Sequence, residues 1–223
     1  VSSLHNTQLN YSIVKEARLK YACPITVGGG VDSLESVVHM ISEGADRVAL
    51  NTALIKDESL LDKLVRHLGA STIVVTIDSS YINSDYYCFI NNGRDNSGIL
   101  VRDYLKQISS IAKPEVFVTD IDKDGTCGGV DKGLLEVIAK YDGPVIYSGG
   151  LSSLSDVKSI GKYLHHASSG ISVGRAFHNY LLTKGYKLGN PSAFASRFEL
   201  GTNRHSELPI ISPSEIFEFM ELK

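Results

Sequence analysis

The sequence is poor in cysteine and contains neither a basic run nor a long hydrophobic segment. Its three cysteines are odd in number and share no metal-like spacing, which favours a reducing, cytoplasmic compartment over a disulfide framework. The formal net charge is −3, and without a basic run we do not expect nucleic acid as the main partner. No segment approaches the roughly 18 consecutive apolar residues of a membrane span, so no membrane partner is expected.

The beginning of the sequence also lacks familiar features. The chain starts at Val1 instead of methionine, and its first residues contain neither the basic nor the apolar block of a secretory signal. With 223 residues, 43% of them hydrophobic, the chain is long enough for one large domain, and α/β barrels of roughly 250 residues commonly form a single domain. We therefore expect a globular domain, with further residues preceding Val1.

Short β-branched segments alternate with helical patterns along the chain. Their apolar runs are uninterrupted, which is typical of parallel strands covered by helices on both faces. This alternation predicts a parallel α/β fold. The predicted strands are Pro24–Val27, Asp46–Leu50, Thr72–Asp78, Glu115–Thr119, Pro144–Ser148 and Gly170–Val173. The predicted helices are Leu34–Glu43, Ser59–Leu68 and Leu100–Ile111, with Tyr86–Ile90 as one arm of a hairpin.

An internal repeat indicates how these units are arranged. Residues 24–37 resemble residues 144–157, and each copy reads as a strand, a glycine turn and a helix start with Asp32/Ser33 or Ser152/Ser153 available as N-caps. Such a repeat predicts a barrel of two similar halves. Six strands are visible, so we expect the first two of a (β/α)8 TIM barrel before Val1. The predicted organisation is a barrel over 1–180 (third to eighth βα units), an irregular insertion over 181–213 and a helix over 214–223.

Glycine turns follow three of the predicted strands. In a parallel barrel these turns lie at the C-terminal face, where loops bind ligands. Glycine lets backbone N–H groups approach a phosphate, and a following helix N-terminus adds favourable partial charge. Two turns related by the repeat predict a substrate with a phosphate at each end; the alternative is that glycine only serves tight turns. The turns are Gly28–Gly30, Gly149–Gly150 and Gly174.

Charged residues occur at both ends of the predicted strands. Asp78 ends a strand, a standard position for a general acid or base in a barrel. The run from Asp120 to Asp124 matches the start of a calcium loop, but a strand precedes it instead of a helix, so we interpret residues 124–126 as a turn facing the ligand.

Two further kinds of residue bear on ligand binding. The positive charge of Arg175 is compatible either with binding a phosphate or with a structural ion pair. The seven histidines show no metal-ligand grouping, so we expect neither a metal nor a cofactor.

Several motifs in this order resemble the histidine-biosynthesis barrels, and within them the cyclase subunit of imidazole glycerol phosphate synthase. The resemblance covers about Asn10 to His178. The motifs are PITVGGG (Pro24–Gly30), GADRVALNTA (Gly44–Ala53), Ile73–Asp78, NGRDNSG (Asn92–Gly98), IDKDGT (Ile121–Thr126), Ser148–Gly150 and Ala176–His178.

The resemblance implies a reaction and a set of site residues. Ammonia from a glutaminase partner, docked on the bottom face, would cross the barrel and attack a bis-phosphorylated substrate, giving imidazole glycerol phosphate and an aminoimidazole carboxamide ribotide. The matching catalytic positions are Asp78, Thr119 and Asp124. The first phosphate site matches Gly29, Gly30, Asn51 and Thr52, and the second matches Gly125, Gly149, Gly150, Gly174 and Arg175. The ammonia gate matches Asp46, Arg47 and Glu115, three residues that the pattern alone indicates to be solvated structural charges.

This sequence departs from the family pattern at three points. Arg47 stands where Lys is typical, which keeps the charge but not the compact ammonium. Arg175 replaces the usual Ser, and residues 181–213 match nothing in the family. The family's other catalytic Asp ends a strand expected before Val1, so the chain from Val1 onward is expected to be inactive in ring closure.

Three other functions fit parts of the pattern. A related barrel that channels ammonia for amidation of a surface-polysaccharide sugar is favoured by Asn91–Gly93 and Leu9–Tyr11. The sister phosphoribosyl isomerase shares the repeat and the Asp-Gly-Thr turn, and Gly174–Arg175 resembles it more. The remaining alternative is a non-catalytic scaffold that docks a glutaminase.

Overall fold

The computed structural model describes residues 11–166 and 168–176. In this part of the chain, strands and helices alternate as predicted, apart from two successive helices over residues 52–68 and three successive strands over residues 73–100. The helices are α1 (Tyr11–Lys20), α2 (Leu34–Ser42), α3 (Thr52–Lys56), α4 (Leu60–Leu68), α5 (Val101–Ile111), α6 (Lys132–Ile138) and α7 (Leu154–Ile160). The strands are β1 (Thr26–Gly28), β2 (Arg47–Leu50), β3 (Ile73–Ile82), β4 (Asp85–Ile90), β5 (Asp95–Leu100), β6 (Glu115–Asp120), β7 (Val145–Ser148) and β8 (Gly170–Ser172).

The described strands form one sheet in the order β1-β2-β3-β6-β7-β8, with every neighbouring pair parallel. This confirms the predicted parallel α/β architecture and its six strands. The predicted insertion over 181–213 and the predicted helix over 214–223 lie outside the described residues. None of the described helices is long and apolar enough to cross a membrane.

The predicted hairpin arm Tyr86–Ile90 is confirmed as β4, and the largest difference from the predicted strands is the length of β3. β3 continues to Ile82, four residues beyond the predicted end at Asp78. The extension pairs antiparallel with β4, and β4 pairs antiparallel with β5. Because this pairing partner comes from later in the chain, the local pattern around residues 79–82 did not predict the extension.

The two faces of the parallel strands have different environments. On β2 and β6, alternate residues such as Val48, Leu50, Val116 and Val118 are buried against the helices. The residues between them, including Arg47 and Glu115, are only partly buried. Since side chains alternate across a strand, the second set lies on the inner face of the sheet, and this face carries the site described below.

The helix starts of the two repeats are built alike, as predicted. Ser33 caps α2, with its hydroxyl accepting from the backbone N of Ser36 at 3.2 Å. In the second copy the Asp156 carboxylate accepts from the backbone N of Ser152 and Ser153 at 2.9 and 3.0 Å. Such caps satisfy N–H groups that a helix start leaves without partners, and they fix the glycine turns that precede both helices.

Candidate active site

A cavity of about 910 Å³ opens at the C-terminal ends of β1, β2, β3 and β6. This volume is within the range of small-molecule sites. Most of the wall comes from strand ends, the turns that follow them, and the tip of the β4–β5 hairpin. It includes these residues predicted from the sequence: Gly29, Gly30, Asn51, Thr52, Asp78 and Thr119.

Asp78 is the central carboxylate of this cavity. Its Oδ2 accepts a hydrogen bond from Nδ2 of Asn51 at 3.2 Å, and the same amide nitrogen donates to the carbonyl of Phe89 at 3.1 Å. Burial raises the pKa of Asp78, the Asn51 hydrogen bond opposes this shift, and the charge of Asp124 adds to it. A carboxyl with a raised pKa exchanges a proton more readily near neutral pH than an ordinary Asp.

The tip of the β4–β5 hairpin closes one side of the cavity. Asn91, Asn92 and Gly93 all have positive φ angles, of 54°, 61° and 71°, a conformation that Asn and Gly tolerate best. The backbone N of Asn91 donates to the hydroxyl of Thr52 at 3.0 Å. This contact holds the hairpin tip against the loop that carries Asn51 and Thr52.

Two cations in the cavity wall were not predicted as site residues. Lys56 ends α3 and Arg94 follows the hairpin tip. Neither forms an ion pair with another residue in the described part of the chain. Arg94 belongs to the NGRDNSG motif, and Lys56 lies four residues after Thr52. Their closeness in sequence to these motif residues is the feature from which a role in the site could have been predicted.

The other predicted phosphate residues form a second group at the ends of β6, β7 and β8. Gly149 and Gly150 have positive φ angles, of 113° and 76°, and are buried. A Cβ on Gly149 would lie 2.6 Å from the carbonyl oxygen of Asp120, and one on Gly150 would collide with that of Gly129. Both positions therefore require glycine for packing. A Cβ on Gly174, by contrast, would meet no atom within 4 Å.

Asp124 and Arg175 each lie close enough to a neighbour to affect it electrostatically. The charge of Asp124 contributes to the raised pKa of Asp78, which connects the second group to the cavity. Burial raises the pKa of the Cys127 thiol, and the charge of the Arg175 guanidinium opposes this shift. Arg175 thus lies near the loop that contains both Cys127 and Gly125.

The opposite end of the sheet carries an ion pair on the same inner face as Asp78. Nη1 of Arg47 lies 3.0 Å from Oε1 of Glu115, although β3 separates their strands. Strands two places apart are roughly 9–10 Å apart, so the sheet curves to bring these side chains together. Asp46 is oriented differently: its carboxylate accepts from the backbone N of Ile25 at 2.7 Å and pairs with Arg18. Both contacts lower its pKa.

Comparison with known proteins identifies the family. The family model described as "Histidine biosynthesis protein" matches residues 2–183. The chain belongs to the histidine biosynthesis protein family. The resemblance seen in the sequence is thereby confirmed, and the described sheet is that of the family's (β/α)8 TIM barrel.

Three similar relatives are all named imidazole glycerol phosphate synthase subunit HisF. The chain is 35% identical to imidazole glycerol phosphate synthase subunit HisF of Sulfolobus acidocaldarius over 169 residues, which are 75% of this chain and 66% of the relative. It is 30% identical to the protein of the same name in Helicobacter hepaticus, over 74% of this chain and 65% of the relative. For the Prochlorococcus marinus protein the identity is 34%, over 72% and 64%. The chain thus spans slightly less than two thirds of the length of these relatives.

Proposed function

We propose that the protein is the cyclase subunit of imidazole glycerol phosphate synthase. In this function, ammonia reacts with a bis-phosphorylated ribulosyl aminoimidazole substrate to give imidazole glycerol phosphate and an aminoimidazole carboxamide ribotide. The observation that carries the proposal is the position of Asp78, a carboxyl of raised pKa held by Asn51 beside a phosphate-type glycine turn. Asp78 serves as a general acid or base in ring closure.

The cavity supports binding of one phosphate at the ends of β1 and β2. Gly29 and Gly30 have φ angles of 101° and 75°, so their backbone can approach a ligand where a side chain would be strained. They precede the start of α2, whose partial positive charge favours an anion. Lys56 and Arg94 supply the full positive charges that a phosphate dianion requires.

The second phosphate is assigned to the turns after β6, β7 and β8. This group contains Gly125, Gly149, Gly150, Gly174 and Arg175. Gly174 has open space beside its Cα, and Arg175 adds a fixed positive charge. A substrate with a phosphate at each end would then cross the centre of the barrel face, where Asp78, Thr119 and Asp124 act on its reacting part.

The inner face of the sheet supports a path for ammonia from the opposite end. From Glu115 to Thr119 along β6 is four residues, or about 13 Å at roughly 3.3 Å per residue. Between the Arg47–Glu115 pair and Asp78 this face carries Ala49, Val74, Thr76 and Phe117. None of these side chains is charged or acidic, so none of them converts ammonia to ammonium on the way. A glutaminase would dock at the Arg47–Glu115 end.

The direct test uses the full-length gene product with ammonium ions and the bis-phosphorylated substrate. We expect both products to form, and we expect Asp78→Asn to lower the rate by about 10²–10⁴-fold, the usual contribution of a general acid or base. Asp62→Asn is the matched control, because Asp62 is an α4 residue paired with Arg66 at 2.9 Å. Normal turnover by Asp78→Asn, or amidation of a sugar with no imidazole product, would contradict the proposal.

A further inference from the structure

Asp120 is a buried carboxyl that the proposed reaction does not use. It is the last residue of β6 and only 3% exposed. The preceding residue, Thr119, lines the cavity. Because successive side chains of a strand point to opposite faces, the Asp120 side chain lies on the other side of the sheet. It therefore cannot touch a substrate in the cavity.

Asp120 anchors the loop that follows β6 through both its side chain and its backbone. Its Oδ1 accepts from the backbone N of Asp122 at 3.1 Å and of Lys123 at 3.2 Å. Its carbonyl oxygen accepts from the backbone N of Asp124 at 2.9 Å. One residue thus orients three consecutive N–H groups, the last of which belongs to a proposed catalytic residue.

The same residue packs against the glycine turn of β7. Because a Cβ on Gly149 would lie only 2.6 Å from the Asp120 carbonyl oxygen, the space between them holds a hydrogen and nothing larger. Further along the loop, the backbone N of Gly129 donates to the carbonyl of Gly150 at 2.9 Å. A shift of Asp120 would therefore be transmitted to both Asp124 and the Gly149–Gly150 turn.

The second carboxylate oxygen of Asp120 accepts no hydrogen bond of regular geometry from the described residues, although the Tyr147 hydroxyl lies close enough to interact with this carboxylate, and the buried hydroxyl of Ser79 also has no partner there. These two residues are direct partners in the β3–β6 ladder. The ionisable groups facing Asp120 are Asp122 on the loop, Asp131 before α6, Tyr86 on β4 and Tyr147 on β7.

This environment is costly for an ionised carboxylate. Burial, followed by the charge of Asp131, raises the pKa of Asp120 to about 6. A buried polar atom without a partner costs free energy. A side chain serving packing alone would not need an ionisable group at this position, whereas accepting hydrogen bonds from two loop N–H groups requires an oxygen-bearing side chain.

We infer that Asp120 is a positioning residue that holds Asp124 and the Gly149–Gly150 turn in the arrangement that binds the second phosphate. The inference deepens the proposed function and rests on it for the assignment of that phosphate. The carboxylate acts through the loop backbone and makes no contact with the ligand.

The test is a titration of the full-length protein with inorganic phosphate, followed by the backbone amide NMR signals of two pairs of glycines. Gly149 and Gly150 report the second phosphate site, and Gly29 and Gly30 report the first. In Asp120→Ala we expect phosphate affinity at Gly149–Gly150 to fall by about fivefold or more, the factor for one lost net hydrogen bond. Affinity at Gly29–Gly30 should stay unchanged and serves as the control within the same molecule.

A second variant separates positioning from folding. Asp120→Asn keeps an oxygen that accepts from Asp122 and Lys123, so affinity at Gly149–Gly150 should remain within about twofold of the wild type. The amide signals of Asp122 and Lys123 should titrate near pH 6 in the wild type and lose this titration in Asp120→Asn. Asp62→Asn should behave like the wild type in every measurement.

Two results would overturn the inference in distinguishable ways. Equal affinities at Gly149–Gly150 in the wild type and Asp120→Ala would show that the loop does not depend on Asp120, with the proposed function intact. If the Gly149–Gly150 signals of the wild type do not respond to phosphate while those of Gly29–Gly30 do, the second phosphate site itself is wrong, and the inference fails with it.

Discussion

Asp78 on β3 and Thr119 on β6 are direct partners in a parallel ladder, and both lie on the wall of the same cavity. Val74 and Glu115 are partners four residues earlier in the same ladder. Because side-chain direction has a period of two along a strand, Glu115 lies on the same face as Thr119. The ion pair of Glu115 with Arg47 and the cavity carboxylate are thus two ends of one surface.

We expect Asn51→Ala to move the limb of the kcat profile that Asp78 sets to higher pH. The Asn51 hydrogen bond lowers the pKa of Asp78, in opposition to burial. Its loss leaves the raising effects unopposed, so the ionised form of Asp78 is reached only at higher pH. The measurement is the kcat of ammonium-dependent turnover between pH 5 and 9, with Gln107→Ala on α5 as the control. A limb that moves to lower pH would show that Asn51 does not stabilise the carboxylate.

We expect Arg47→Ala to impair turnover driven by a glutaminase and glutamine while leaving turnover with ammonium ions nearly unchanged. The Arg47–Glu115 pair lies at the opposite end of the sheet from Asp78 and so affects delivery of ammonia more than the chemistry. Product formation from the two nitrogen sources is compared in the same preparation. Arg66→Ala, which breaks an ion pair on the surface of α4, is the control. An equal loss with both sources would place Arg47 in the catalytic step instead.

We expect Gly149→Ala to destabilise the fold more than Gly98→Ala. Both residues have positive φ angles, 113° and 78°, but a Cβ on Gly98 would meet nothing within 4 Å. Left-handed backbone costs a non-glycine residue roughly 1–2 kcal/mol, and the contact of Cβ with the Asp120 carbonyl adds about 1–3 kcal/mol of overpacking in Gly149→Ala. Urea denaturation measures the difference. Equal losses in the two variants would mean that the turn can move away from Asp120.

We expect Asp120→Asn to stabilise the protein at high pH but not at low pH. The pKa of Asp120 rises from the ordinary value of 3.8 to about 6 in the folded protein. The folded state therefore binds the proton of this carboxyl more tightly than the unfolded chain does. The stabilisation from this proton is complete below about pH 3.8 and is lost as pH rises through about 6. The neutral amide avoids this loss, which is worth about 3 kcal/mol at roughly 1.4 kcal/mol per pKa unit.

The measurement for this prediction is the free energy of unfolding of both proteins at pH 4 and pH 8. The difference in favour of Asp120→Asn should be present at pH 8 and nearly vanish at pH 4. Asp62→Asn provides the control for removal of a carboxylate from the surface of α4. A difference of the same size at both pH values would show that Asp120 is not the titrating group.

Several features of the site were predictable because they depend on local pattern. Continuous apolar runs placed β2, β3, β6 and β7, and the glycines after them marked the ligand face of a parallel sheet. The repeat predicted both helix caps. The ordered motifs predicted the family and the positions of Asn51, Thr52, Asp78 and Thr119 on one cavity.

Other features depend on residues that are distant in the chain. Asp46 and Arg47 are adjacent in sequence, yet Arg18 and Ile25 hold the first while Glu115 holds the second. Lys56 and Arg94 line the same cavity because the β4–β5 hairpin folds back onto α3. The contact between the two is the hydrogen bond from the backbone N of Asn91 to the hydroxyl of Thr52.

The sequence by itself determined where the parallel strands begin and where the glycine turns and the two helix caps lie, because these follow from side-chain periodicity and backbone preference within a few residues. Only the tertiary structure decided which charges pair, which glycines are confined and which carboxyl is buried. Asp120 shows the reason: it follows Thr119 by one residue, and that single step places it on the covered face of the sheet. The turn after β7 packs against it at Gly149, and burial, followed by the charge of Asp131 at the start of α6, raises its pKa; both neighbours come from later in the chain.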